Sequence, residues 1–186
     1  WAGRRRRAVG TVVHRLLERV AADGLESWGS SRLEDQVPAI RHLLRESGAP
    51  TGGLDEAGDE VIEAVANALQ DDRGRWILSN EHSHAETELA VTGVIDDKTF
   101  HAVLDRTFID QDGVRWIVDY KTGVHTGGAF EQFLDEEQQR YKPQLEGYAR
   151  LMQCLEPTVP IKVALYYPVH KAWREWQPDV DRDKPR

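Results

Sequence analysis

Asp119 and Lys121 stand two residues apart in "WIVDYKTG" (116–123), between an apolar run and a glycine. On a strand, residues two apart share a face. Ile117, Asp119 and Lys121 therefore project together, and Trp116, Val118 and Tyr120 project the other way. Asp119 and Lys121 thus leave the core side by side at the end of the strand. A second carboxylate, Asp105, lies in "AVLDRTFI" (102–109), on one face with Val103 and Thr107. The turn signal between these runs is "DQDG" (110–113). Asp105 comes directly opposite Asp119 only if Ile109 pairs with Arg115, which requires a five-residue connection or an equivalent bulge after Asp110. Two carboxylates meeting across a hairpin repel each other. A hard divalent cation relieves that cost.

His14 borders an apolar helical stripe and offers a neutral imidazole as a third ligand, which Mn²⁺ accepts more readily than Mg²⁺. Gln144 and Tyr148 are four apart and share a helix face beside Leu145, Ala149 and Met152. Taken singly, each residue has a plainer reading. An Asp–Lys pair at a strand end is commonly a solvated ion pair, and a lone histidine beside a stripe commonly serves packing. Gln144 and Tyr148 read equally well as helix surface. The "RRRR" run (4–7) reads as solvated charge at a helix start, with a phosphate contact as the alternative. Trp173 and Trp176 read as packing residues, and the spacing of His82 and His84 is a weak metal signal.

The elements that must position these residues follow from periodicity. Val12, Val13, Leu16, Leu17 and Val20 form one stripe of a helix over 9–22. Further helices are expected over 33–46, with Pro38 in the first turns, over 55–70, and briefly near 75–79; "SGAPTGGLD" (47–55) is a loop. Strands are expected at 87–95, 102–109 and 114–121. After a flexible or helical region, Pro143 opens a helix to about Leu155. Strands follow at 161–169 and 172–177, and 179–186 reads as a disordered tail. The order describes an α/β sheet with a helical cap.

Composition bounds the rest. The 186 residues are 40% hydrophobic and 30% charged, as in one globular domain with a real core. The net charge of −8 argues against a surface that coats nucleic acid generally, although metal-holding carboxylates count in that total. The single cysteine, Cys154, excludes an intramolecular disulfide and a cysteine-held zinc or iron–sulfur site, and fits a reducing cytoplasm. No apolar run reaches the roughly 18 residues of a membrane span, and the basic start lacks the apolar segment of a signal peptide. The chain opens on Trp1 and its one methionine is Met152, so a domain cut from a larger protein is expected.

In combination, the order His14, Asp105, Asp119-Tyr120-Lys121, Gln144, Tyr148 resembles the RecB-like branch of the PD-(D/E)xK nuclease superfamily. The segments that carry the resemblance are "GTVVHRLLE" (10–18), "AVLDR" (102–106), "IVDYKTG" (117–123) and "QLEGY" (144–148). It implies a restriction-endonuclease-like fold, a mixed sheet core flanked by helices with an N-terminal helical region, as a single domain over 1–178. By position, His14, Asp105 and Asp119 resemble side-chain ligands of Mg²⁺ or Mn²⁺, with the Tyr120 carbonyl as a further ligand and Lys121 as the catalytic lysine. Gln144 and Tyr148 resemble the helix motif that supports the site and contacts DNA. Glu88 resembles an auxiliary acidic position, with Glu86 as its competitor.

The pattern resembles nuclease domains at the C-terminal ends of helicase–nucleases that process DNA breaks, of the RecB, AddAB and AdnAB kind. It implies cleavage of single-stranded DNA ends, a motor domain in the parent chain and a heterodimeric partner subunit. Two departures are local: Ala102 stands where relatives often have glycine, and the cysteines of the iron–sulfur exonuclease branches are missing. A silent DNA- or partner-binding copy of the fold is the alternative, as is a capped α/β hydrolase of another substrate. A small-molecule enzyme of that kind ordinarily shows a glycine-rich phosphate loop or a serine elbow, and neither occurs here.

Overall fold

A computed structural model gives the fold and describes residues 2–95 and 97–180. From residue 181 on, the expected tail lies outside the described residues, and 177–180 have no regular secondary structure. The described residues form two compact units. One holds the residues up to Asn80 with Tyr120–Val124 and Tyr166–Trp173; the other holds Glu81–Asp119, His125–Leu165 and the residues from Arg174 on. Among the described residues, no helix is long and apolar enough to cross a membrane.

The first unit is built on helices. α1 (Ala2–Asp23) begins seven residues before the expected start, because the arginine run is itself helical. Its apolar stripe is buried as the spacing requires, with Val12, Val13, Leu17 and Val20 at 0% exposure. The expected 33–46 helix is two helices, α2 (Ser30–Asp35) and α3 (Val37–Glu46), joined at Gln36. Pro38 explains the break: it donates no N–H and its ring crowds the carbonyl four residues back, so a helix restarts there rather than continuing. α4 (Leu54–Gln70) buries Ala57, Val61, Ala64, Val65 and Ala68. α5 (Asp72–Leu78) is capped by Asp71, whose carboxylate accepts from the Gly74 N–H at 3.0 Å and from the Tyr166 hydroxyl at 2.9 Å. Burial first, then donation to the Asp71 carboxylate, holds the Tyr166 phenol well above its ordinary pKa. It therefore stays a neutral donor.

The second unit carries most of the sheet. The strands are β1 (Ser83–Ile95), β2 (Lys98–Ile109), β3 (Arg115–Tyr120), β4 (Ile161–Tyr167) and β5 (Ala172–Trp176), in that spatial order. β1, β2 and β3 pair antiparallel. Arg115 N–H donates to Pro160 O and, six residues on, Lys121 N–H donates to Tyr166 O, both at 2.8 Å, so β3 and β4 run parallel. Parallel neighbours need a crossover, and α6 (Phe130–Leu155) supplies it. The expected helix start at Pro143 is wrong: Pro143 lies inside this 26-residue helix. Leu134, on one side of the proline, and Leu145, Ala149 and Met152, on the other, are all buried at helical spacing. That continuous face outweighs the roughly 3 kcal/mol that an interior proline costs. β4 ends at Tyr167, and Pro168–His170 is a 3₁₀ turn instead of strand.

The β2–β3 connection decides the register. It has five residues, 110–114, and Asp110 organises it. One Asp110 oxygen accepts from the Asp112 and Val114 N–H groups at 2.9 and 3.0 Å, and the other from the Trp116 indole at 2.7 Å. Gly113, at φ 75°, closes the turn with its N–H on Asp110 O. Burial alone raises the Asp110 pKa, but the Trp116, Val114 and Asp112 donors and the charge of His82 win and lower it. A depressed native pKa contributes stability above the ordinary carboxylate range and loses it as pH falls through the native value. Asp110→Ala is expected to cost about 2 kcal/mol in a urea titration at neutral pH, with a smaller difference in acid below the native Asp110 pKa. A difference that stays constant into acid would show that the carboxylate charge does not drive the clamp.

Candidate active site

Within the second unit, β2 and β3 pair as Ile109–Arg115, Phe108–Trp116, Thr107–Ile117 and Arg106–Val118. This is the register that opposition of the two aspartates required. The ladder ends at Arg106–Val118; continued by one pair, the register would set Asp105 opposite Asp119. Asp119 is 6% exposed, whereas Asp105 is half-buried. Behind them Thr107, fully buried on the same face, donates its hydroxyl to Trp116 O at 2.7 Å and secures the hairpin.

On the other side of β2, Thr87 pairs with Arg106 and Leu89 with Leu104, so Glu88 falls opposite Asp105; Glu86 pairs with Thr107. Of the two acids, Glu88 is thus the neighbour of Asp105, and a carboxylate oxygen of each lies within 4.8 Å of the other. Glu88 has φ 48° in the middle of a strand. Left-handed backbone costs a residue with a Cβ about 1–2 kcal/mol. Such strain persists where the surroundings impose it, and it concentrates at functional sites. A third acid here adds repulsion in addition to strain, which a hard cation offsets. Sequence periodicity could not show this, because nothing in the residue type announces a positive φ at a glutamate.

Within the first unit, the end of β3 meets α1. His14 Nε2 lies 3.0 Å from the Tyr120 carbonyl oxygen. Tyr120 itself is buried, edge-on to the His14 ring at 5.7 Å and to Tyr166 at 6.5 Å. Its side chain thus packs while its carbonyl faces the imidazole. At this distance the two atoms are hydrogen-bonded, which an Nε2–H donating to the carbonyl accounts for; in the other tautomer the Nε2 lone pair and the carbonyl oxygen would both be available to a cation. Gly10 explains the opening of "GTVVH": a Cβ there would come 2.9 Å from Thr122 Oγ1. The helix can lie against the segment after Lys121 because position 10 has no side chain. Lys121 is half-buried, and its backbone N–H is anchored on Tyr166 O.

Gln144 and Tyr148 meet on α6, where the Gln144 amide donates to the Tyr148 hydroxyl at 2.5 Å. Tyr148 is buried and Gln144 is exposed, so the tyrosine fixes a polar arm that reaches solvent. His82 stacks on Phe108 at 4.1 Å, a packing role. Trp173 packs edge-on against Trp76.

The second unit brings carboxylates together on a strand–turn–strand frame followed by a crossover helix, and the first unit sets an imidazole against a backbone carbonyl. The sequence profile of the PD-(D/E)XK nuclease superfamily matches residues 2–183. The chain belongs to the PD-(D/E)XK nuclease superfamily. Its mixed five-stranded sheet with flanking helices is accordingly a restriction-endonuclease-like α/β fold. No curated protein matches the chain. Nucleases of this superfamily use divalent metal ions and act on DNA, and the paired carboxylates Glu88 and Asp105 suit a hard divalent cation.

Proposed function

We propose that this nuclease belongs to the RecB-like branch and is a metal-dependent deoxyribonuclease that trims single-stranded DNA ends, working in the cytoplasm as one domain over 1–178 of a helicase–nuclease that repairs and recombines DNA with a partner subunit. The observation that supports the reading is the β2–β3 register, paired from Ile109–Arg115 to Arg106–Val118, which continued by one pair would set Asp105 opposite Asp119. The order of motif segments along residues 10 to 148 supports the RecB-like assignment, and the free, exposed Cys154 suits a reducing compartment.

In this reading His14, Asp105, Asp119 and the Tyr120 carbonyl hold a Mg²⁺ or Mn²⁺ ion, with Glu88 as an added acid. The ion supplies Lewis acidity toward the scissile phosphate and makes water a better nucleophile. Lys121 orients the attacking water and offsets the charge that grows on the phosphoryl oxygens. The water attacks phosphorus in line and gives up a proton to solvent; the bond to the leaving sugar oxygen breaks, and that oxygen takes up a proton from solvent. Glu88 and Asp105 keep the cation site acidic. The Gln144 amide, braced by Tyr148, contacts the bound strand.

The test is cleavage of linear single- and double-stranded DNA with Mg²⁺, Mn²⁺ or EDTA. Asp119→Asn is expected to lose cleavage to the level of the EDTA control and to weaken metal binding in calorimetry, while keeping its circular dichroism. A folded, metal-binding wild type that cuts neither DNA would point to the silent binding module instead.

A further inference from the structure

We propose that the exposed face of α1 is a track for the phosphate backbone of a nucleic-acid strand, with Arg4 and Arg7 as its phosphate contacts. The proposal rests on the nuclease reading for the identity of the polyanion, and on α1 itself for the site.

Seven residues are close to two helical turns, so Arg7 returns to the face of His14, about 10 Å nearer the helix N-terminus. Arg4 and Thr11 lie three and four residues from Arg7 and extend the same row. Arg4, Arg7 and Thr11 are all exposed. Thr11 donates its hydroxyl to the Arg7 backbone carbonyl at 3.0 Å. Arg5 points the other way, half a turn round, and pairs with Glu60 at 2.5 Å. One arginine of the run therefore serves the fold. Among the described residues, Arg4, Arg6 and Arg7 make no ion pair.

Stability does not explain them. Like charges three residues apart on one helix face repel each other. The charge is also concentrated: residues 1–20 hold six arginines and one acid, Glu18, in a chain of net charge −8. An anion lying along the row removes the repulsion between Arg4 and Arg7. A guanidinium fork matches two phosphate oxygens, and a row of such forks on a rigid helix matches a repeating phosphate chain. The row leads away from His14 on a single helix, so a strand that follows it leaves the site in a set direction.

The test is fluorescence anisotropy of a labelled oligodeoxythymidylate across a KCl series, in EDTA so that no cleavage intervenes. Each phosphate contact on a single strand contributes about 0.7 to the slope of log K against log salt, so Arg4→Ala/Arg7→Ala is expected to lower the slope by about 1.4. Arg4→Lys/Arg7→Lys, which keeps both charges, should retain most of it. Arg45→Ala, an exposed arginine on α3, should change nothing. In steady-state cleavage the double alanine variant should show its loss chiefly in KM for oligonucleotides. An unchanged slope in a folded double alanine variant overturns the proposal and assigns the run to another anion, such as an acidic face of a neighbouring domain. The two readings fail separately. Arginine-dependent binding without cleavage in Mg²⁺ refutes the nuclease reading and keeps the track; cleavage with an unchanged slope does the reverse.

Discussion

Lys121→Ala is expected to leave a folded protein that still binds metal but cleaves DNA roughly 10²–10³-fold more slowly, the loss typical of removing one preorganised charge from a transition state. The expectation rests on where Lys121 is held. Its backbone N–H is fixed on Tyr166 O in the parallel ladder. Its side chain issues from the face that also bears Asp119, because the two are two residues apart on an extended chain. The backbone bond does not depend on the side chain, so truncation leaves the strand in place. The loss should appear in kcat more than in KM, because the ammonium acts on charge that develops after binding. Lys121→Arg is not a conservative control: the planar fork cannot occupy the place of a compact ammonium. Single-turnover cleavage with Mg²⁺, beside calorimetric titration of the metal, checks both halves. Cleavage at the wild-type rate would remove the lysine from the mechanism.

The second large effect has opposite signs in two measurements. Glu88→Gly should stabilise the metal-free protein by about 1 kcal/mol, because glycine adopts φ 48° without the penalty glutamate bears. Losing a carboxylate from beside Asp105 adds to the gain. The same change should weaken metal binding and slow cleavage by about two orders of magnitude or more, as for other preorganised electrostatic groups. Glu88→Gln separates the two causes, since it keeps the strained backbone and removes only the charge. In urea, Glu88→Gly should raise the midpoint at an unchanged slope. Added Mg²⁺ should then stabilise the wild type more than the variant, because a ligand stabilises in proportion to its affinity for the native state. If Glu88→Gly were less stable than wild type without metal, the backbone there would not be strained. If it cut DNA as fast as wild type, Glu88 would have no part in the site.

Much of the site was legible before any fold was known, for a definite reason. Strand period assigns faces, so Asp119 with Lys121 and Asp105 with Thr107 follow from spacing alone. Helix period assigns the stripe of α1, the place of His14 beside it and the pairing of Gln144 with Tyr148. Period says nothing of register. That depends on how many residues the turn holds, and "DQDG" reads as a four-residue turn. The fifth residue enters because the Asp110 carboxylate collects the donors of Asp112, Val114 and Trp116 across the connection. The same limit hid the continuity of α6: local preference starts a helix at Pro143, but burial of Leu134 and Leu145 on one face holds the chain helical through it. By itself, then, the sequence determined which candidate residues share a face, because face follows from bonded geometry. The tertiary structure alone decided that Ile109 pairs with Arg115, that Glu88 turns left-handed beside Asp105, and that Gly10 lets α1 lie against Thr122. These depend on non-bonded contacts between residues far apart in the chain, and no local pattern encodes them.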